Sequence, residues 1–559
     1  MTSGEPSIAD AGTAYDAEDV APPSRRDWWA LVVLSVGLGM IVLDGTIVGV
    51  SLPVIIGDLH LDLTDAQWVN SLYAVTLAAI LLVTGRLADR WGRRAMFVAG
   101  LVIFLGGSIF AASAGSAGSL IAARAVQAFG AGCIMPATLS TVNTIFRGKY
   151  RAAAFGVWGA VISGAAAVGP LAGGALTQYA SWRWIFLVNI PIGVILLLAT
   201  LFVVRETRGE QDFGRGADVD GALLSAIGFG ALVFAVIEGP TLGWWKPLSD
   251  LRVFGLRWPA SWPISIVPVL LVVSAVALVA FWFWERHRRD EHRSAILDID
   301  LFELQTFSWG NLTAAAVSVG EFAILFVLPL YLVNALGLDV MTSGWILAAM
   351  ALGAFFAGAM ARHLAAAIGS PGTVLVGLGL ELLAAIVIAL VITGSTAGWV
   401  IALPLVVYGL GMGLASAQLT GTVLRDVPPD ESGQGSATQS TIRQVGSALG
   451  TALAGAALSV SLAHSLPSAL AAAGLAGPQA DQLAQATRTS AGNVISGLRS
   501  ATGHGAAAEH QQRLVEALAS GFADAARTSI WVTAVCLVFG LVGAARVWVV
   551  ARRPVTAIR

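Results

Sequence analysis

Gly85-Arg86-Leu87-Ala88-Asp89-Arg90-Trp91-Gly92-Arg93-Arg94 is a polar stretch set between two long apolar runs. Four arginines stand here beside one aspartate. Lys and Arg flanking membrane spans are retained in the cytoplasm, so in a chain this apolar the stretch predicts a cytoplasmic hinge between two spans. Gly85 and Gly92 permit a tight turn and a close approach of backbones. Asp89 and Arg93 are one helical turn apart.

The composition outside this stretch agrees. Of 559 residues 56% are hydrophobic and 12% charged, and the mean hydropathy is +0.78, against about 25% charged residues in a soluble domain. This is an all-α polytopic membrane protein by composition. The net charge of -2 by itself says nothing about nucleic acid, and no basic tract with interleaved aromatics points to it as a partner. Cys133 and Cys536 both lie within apolar runs, which gives neither a disulfide framework nor metal-ligand spacing. Many of the 63 glycines fall inside the apolar runs, where small residues let helices approach closely. Residues 1–27 read as a disordered cytoplasmic tail without the features of a secretory signal.

With about 20 apolar residues per crossing, fourteen spans are predicted, at 28–53, 67–85, 95–113, 118–145, 152–177, 184–203, 219–238, 264–284, 307–333, 341–361, 372–393, 398–422, 435–460 and 529–550. On this placement 22 of the 32 Lys and Arg lie inside and eight outside, while Arg124 and Arg443 are within the membrane. Both termini are then cytoplasmic. The spans divide into a six-helix half (28–203), a linker with two extra helices (204–306), a second six-helix half (307–550) and a short tail (551–559). Gly358-Ala-Met-Ala-Arg362-His363 follows the second span of its half as the Gly85 stretch follows span two, without a counterpart of Asp89. Two such halves imply a parallel repeat with a cavity between them near the midplane. Residues 239–262, with Trp244, Trp245, Trp258 and Trp262, read as an outside loop at the interface. Residues 463–527 read as a long outside segment, a passive connector or a lid, with helical spacing of Leu514, Leu518 and Phe522.

Charges within a bilayer are expensive and mark function. Asp44 in span one and Arg124 in span four are the first candidates, with Gln127 on the same face as Arg124. A carboxylate shielded from water favours its protonated form, and a fixed positive charge nearby opposes that, so the pair is suited to loading and unloading a proton. Glu321 in span nine is the corresponding candidate of the second half, with Glu381 in span eleven secondary. Gly164, Gly169, Gly173 and Gly174 in span five shape a groove for a neighbouring helix, and Pro170 allows a bend. Asn70, Tyr73, Phe129, Trp158, Phe322, Tyr331, Arg443 and Gln444 are further candidates for the cavity wall.

Several of these stretches together resemble the major facilitator superfamily. The Gly85 stretch, with Gly85, Asp89, Arg90, Gly92, Arg93 and Arg94, is similar to that family's cytoplasmic gating signature between spans two and three. Leu43-Asp44-Gly45-Thr46 resembles span one of the fourteen-span drug:proton antiporters of the Qac and Emr type. Arg124-Ala-Val-Gln127 is similar to the span-four motif whose arginine assists proton coupling, and Gly169-Pro-Leu-Ala-Gly173-Gly174 to the antiporter motif. Trp182-Arg183-Trp184-Ile-Phe186-Leu-Val-Asn189 also resembles the family, as does Arg443-Gln444-Val-Gly446. Acidic residues deep in span thirteen, which some members carry, are lacking after Arg443. The resemblance implies a monomeric, non-enzymatic exporter of amphipathic or cationic drugs in the cell membrane. It would use alternating access, need no cofactor and no metal, and draw on the proton gradient. Export of a lipid, a siderophore or a self-made antibiotic is the alternative cargo, and proton-coupled uptake the alternative direction.

Overall fold

The computed structural model describes residues 22–146, 149–208, 218–253, 256–291, 293, 297–428, 431–500 and 506–552. Of the predicted disordered tail 1–27, residues 1–21 lie outside the described residues, as does the tail from residue 553, while Arg25, Arg26 and Asp27 already form the capped first turn of a helix. The first group of helices is α1 (Arg25–Leu59), α2 (Leu63–Trp91), α3 (Arg93–Ala112), α4 (Ala117–Ile145), α5 (Lys149–Tyr179), the short α6 (Trp184–Leu187) and α7 (Asn189–Val203). Two more follow, α8 (Val219–Leu242) and α9 (Ile266–Asp290). The second group is α10 (Gln305–Leu330), α11 (Val340–Ile368), α12 (Ser370–Val391), α13 (Gly398–Val423), α14 (Ser432–Ala472), α15 (Pro478–Thr489), α16 (Asn493–Ser500) and α17 (Ala506–Ala551). With α6 and α7 counted as one crossing, the long helices follow the predicted spans in order. Among the described residues, twelve are long and apolar enough to cross a membrane. Inside the predicted outside loop 239–262, β1 (Leu251–Val253) pairs antiparallel with β2 (Leu256–Trp258), the one strand pair among the described residues, and Trp258 meets Trp262 edge-on at 4.4 Å.

Local chemistry sets where helices start. The Ser24 hydroxyl accepts from the Asp27 amide while the Asp27 carboxylate accepts from the Ser24 amide at 2.8 Å, a reciprocal cap that satisfies donors the first turn leaves open. Asp62 with Asp65, and Ser116 with Ser119, do the same for α2 and α4. Gly92, with φ +116°, separates α2 from α3; a side chain is strained in that conformation, which is why the hinge needs a glycine there.

The packing divides the molecule into two ends. At the end away from Arg25 and Arg90, which we call the far end, one continuous apolar core joins Leu52, Ile55 and Ile56 of α1 to Ile324 and Leu328 of α10 and to Leu462 and Leu466 of α14. At the basic end the core splits, one cluster lying among the helices of the first group and another among α10, α12, α13 and α17. The far end is therefore closed across both groups of helices and the basic end is not. α8 lies in the seam between α2 and α14, with Val233, Val236 and Ile237 against Ala74, Ala448 and Ala452. α9 buries only a stripe that includes Val267, Ser274, Ala277 and Phe281.

Glycines repeat one crossing in each group. A Cβ on Gly100 of α3 would fall 2.7 Å from the Gly130 carbonyl oxygen of α4, and one on Gly130 would fall 2.5 Å from the Phe104 nitrogen. A Cβ on Gly377 of α12 would fall 2.7 Å from the Gly411 carbonyl oxygen of α13, and one on Gly411 would fall 2.7 Å from the Glu381 nitrogen. The third and fourth long helices of each group thus touch backbone to backbone at matching positions.

The predicted outside segment 463–527 is mostly helix, because α14 runs on to Ala472 and α17 already begins at Ala506. Its apolar residues Ala484, Ala491 and Ile495 enter the far-end core instead of facing solvent. Asn334 donates to the Ala491 carbonyl at 2.9 Å and Arg499 to the Ala335 carbonyl at 2.7 Å. A bare connector is thereby replaced by a packed cover. Loss of one such bond weakens local order by about 1 kcal/mol, so Arg499→Ala is expected to speed amide exchange across α15 and α16 several-fold in hydrogen-exchange mass spectrometry; unchanged exchange would show that Arg499 does not hold the cover.

Candidate functional site

Asp44 lies on α1, Arg124 and Gln127 on α4, Ser108 on α3 and Asn189 at the start of α7, and all five side chains are buried. Their convergence follows from the crossings around them. Close approach at Gly100 and Gly130 brings α3 onto α4, and a Cβ on Gly107 would fall 2.7 Å from the Gln127 nitrogen. Arg124 Nη1 donates to Asp44 Oδ2 at 2.5 Å and to Gln127 Oε1 at 3.0 Å. Asp44 Oδ1 accepts from Gln127 Nε2 and from Asn189 Nδ2, each at 3.0 Å. The Ser108 hydroxyl accepts from the same two amides at 2.9 and 3.3 Å. Arg124 Nε donates to the Val69 carbonyl at 3.3 Å, and its guanidinium lies 4.2 Å from the centre of the Tyr73 ring.

This arrangement satisfies the carboxylate on both oxygens, which is the condition for keeping an ion pair out of water. It also gives the proton something to change. Protonating Asp44 would cancel one charge and leave Arg124 with Gln127, the Val69 carbonyl and the Tyr73 ring, so the hold between α1 and α4 depends on whether the acid carries a proton.

Tyr73 and Gln127 thus belong with Asp44 and Arg124. Phe129 does not, since it is exposed on another face of α4, and Asn70, Trp158 and Phe322 are half-buried without joining the cluster. Tyr331 is fully buried in the far-end core and donates to the Thr393 carbonyl at 2.6 Å, so it is a packing residue and not a cavity wall. Sequence reading passed over Ser108, which sits in an ordinary apolar run, and treated Asn189 only as part of a motif.

The glycines of α5 make two contacts. A Cβ on Gly173 would fall 2.8 Å from the Ile47 carbonyl oxygen of α1, and one on Gly169 would strike the Thr46 hydroxyl. A Cβ on Gly174 would fall 3.1 Å from the Val340 carbonyl oxygen of α11, and one on Gly344 of α11 2.7 Å from the Pro170 carbonyl oxygen. The motif therefore joins the two groups of helices on the closed side. Gly164 has nothing within 4 Å of the position a Cβ would take.

At the basic end Arg93 donates to the Ser140 carbonyl at 3.1 Å and to the Thr144 hydroxyl of α4. Arg94 donates to the Leu201 carbonyl at 3.2 Å. Glu206, not singled out from sequence, accepts from the Arg94 and Ala95 amides at 3.0 and 3.2 Å, placing a negative charge at the N-terminus of α3, where the helix dipole favours it. Arg86 stands in the fields of Asp218 and Glu285, at the ends of α8 and α9, and Arg288 lies 3.4 Å from Asp218. Gly85 packs on Pro136 and Arg90 is exposed, while the Asp89 side chain lies outside the described residues. At the far end Trp182 and Arg183 donate to Asp58 at 2.8 and 3.0 Å, which ties the segment before α6 to α1.

In the second group Glu381 is fully buried, and neither of its carboxyl oxygens has a hydrogen-bond partner. Glu321, Arg443 and Gln444 are half-buried. Among the described residues no group of His, Cys, Asp and Glu is arranged to hold a metal ion.

Comparison with known proteins agrees with this architecture. The family model described as Major Facilitator Superfamily matches residues 34–451. The chain is 33% identical to a puromycin resistance protein of Streptomyces alboniger over 77% of this chain and 82% of that one. It is 29% identical to the multidrug transporter protein MdtP of Bacillus subtilis, over 74% and 72%, and 28% identical to a tetracenomycin C resistance and export protein of Streptomyces glaucescens, over 80% and 79%. Among solved structures, a bacterial homologue of the human lysosomal transporter Spinster, inward-facing and unoccupied, superposes with a TM-score of 0.61 at 18% identity, covering 96% of this chain and all of that one.

Proposed function

Because this chain belongs to the major facilitator superfamily and is a multi-pass membrane transporter, we propose that it exports amphipathic or cationic small molecules across the cell membrane in exchange for protons. The observation that carries this reading is the Asp44 cluster, an acid fully enclosed within the helices and held by one arginine and two amides. Asp44 takes up the proton, Arg124 holds the unprotonated carboxylate, and the exchange of one for the other alters the grip of α1 on α4. The glycine face of α5 against α1 and α11 seals the far end, here the outside. The basic end and both termini lie in the cytoplasm by the positive-inside rule. In the opposite state the Gly85 stretch latches the cytoplasmic side. Glu321, at the first helix of the second half, and the half-buried Asn70, Trp158, Phe322, Arg443 and Gln444 are the candidates for contact with cargo or proton in the chamber, and the protein works as a monomer.

The relatives named for puromycin resistance and for tetracenomycin C resistance and export support a second reading of the cargo, a single antibiotic in place of many drugs. Transport into inverted membrane vesicles of a panel holding ethidium, puromycin and an anionic dye tests both. Uptake that collapses with the pH gradient and is abolished in Asp44→Asn, with the protein still inserted, is the expected result. Full uptake by that variant would remove Asp44 from the mechanism.

A further inference from the structure

The two halves carry their buried acids at different corners of the same frame. Counting from the matching glycine crossings, Gln127 stands three residues before Gly130, and Tyr408 stands three before Gly411. Phe104 stands four residues after Gly100, and Glu381 stands four after Gly377. Gln127 reaches across to Asp44 on the first helix of its half. Tyr408 reaches the equivalent place on α10, where a Cβ on Gly320 would fall 2.6 Å from its hydroxyl oxygen. The second half thus has glycine where the first has Asp44, tyrosine where it has Gln127, and a carboxyl where it has Phe104.

The arginine is the decisive difference. Arg124 stands three residues before Gln127, and the residue three before Tyr408 is Leu405, buried and apolar. Glu381 therefore has no guanidinium at its side. Neither carboxyl oxygen is hydrogen-bonded and the Tyr408 hydroxyl has no partner either. The charged groups whose fields reach Glu381 are Glu321 of α10 and Arg443 of α14, and neither bonds to it. An ionised carboxylate in such a place, without hydrogen bonds, is far more costly than a neutral acid.

We propose that Glu381 is a second proton site, in the second half of the molecule, which arrives protonated in the far-end-closed state seen here and releases its proton towards the open basic end when cargo binds and α12 and α13 shift around it. The step is a simple dissociation, the carboxylic acid giving up a proton to water admitted to the half, with Arg443, whose field reaches Glu381, and the Tyr408 hydroxyl, which lies in the field of Glu381, able to receive the resulting carboxylate. This rests on the export-for-proton reading above and assigns the coupling residue of the second half to Glu381 in place of Glu321.

The test uses the full chain in lipid, with ethidium as probe. Infrared difference spectra on adding ethidium are expected to show loss of a carboxylic acid C=O band in the wild type and in Asp44→Asn, no such band in Glu381→Gln, and a shifted one in Tyr408→Phe, which keeps the acid in place. In proteoliposomes Glu381→Gln is expected to exchange one proton fewer per ethidium than the wild type. A band unchanged in Glu381→Gln, or an unchanged ratio, would overturn the proposal while leaving proton exchange standing. Wild-type vesicles that move ethidium without proton counterflow would instead overturn the export-for-proton reading, and with it any release in the cycle, even if the Glu381 band remained.

Discussion

Arg124→Gln is expected to lose proton-driven transport and most of the stability of the first group of helices, and Asp44→Asn/Arg124→Gln to recover the second without the first. The reason is the asymmetry of buried ion pairs. Removing one partner leaves a charge enclosed without compensation and costs about 3–5 kcal/mol, whereas removing both charges together is often neutral. Asp44 and Arg124 are both almost fully enclosed and 2.5 Å apart, so each single substitution strands the other charge. In the double variant an amide at each position can still bond with Gln127 and Asn189. Thermal unfolding in detergent, followed beside vesicle transport, reads the two quantities separately. A double variant no more stable than either single one would show that the pair is not what holds α1 to α4, and one that still transports would show that the charges are dispensable to the cycle.

The second large effect is at the α5–α11 seam. Gly174→Val would place its Cβ about 3 Å from backbone atoms of Val340 and Met341, and backbone yields less readily than the end of a side chain. Overpacking of this kind costs about 1–3 kcal/mol, and about 1.4 kcal/mol is tenfold in an equilibrium constant. The strain falls on the contact that closes the far end and is relieved when that end opens, so the variant is expected to populate the far-end-open state roughly tenfold more. Spin labels on the exposed positions Tyr179→Cys and Ser395→Cys, after removal of Cys133 and Cys536, would then report longer distances in Gly174→Val. Gly164→Val, whose new side chain begins in open space, is the control and should match the parent. Equal distances in Gly174→Val and the parent would mean that this seam does not govern closure.

Much of this was legible in the chain because membrane burial writes a strong signal. The polar Gly85 stretch, the arginine balance across the loops and the rarity of Asp44 and Arg124 within apolar runs follow from the cost of placing charge in hydrocarbon, which any helix must respect on its own. How the segment 463–527 packs was not legible, for the complementary reason. Its alanines and glutamines favour helix locally, but where those helices dock is set by contacts with Asn334, Ala335 and the far-end core that have no trace in nearby sequence.

What the sequence determined by itself is the order of the long helices, twelve of which among the described residues are long and apolar enough to cross a membrane, and the placement of Asp44 and Arg124 within apolar runs. Only the tertiary structure decided that Asn189 bonds both Asp44 and Ser108, the latter 81 residues away, that Tyr331 packs and does not line a cavity, and that Glu381 has no arginine beside it. Helix formation and membrane partition are local, read along one segment at a time, whereas a hydrogen bond between helices depends on how closely two backbones can cross, and that is set by glycines distant in the chain.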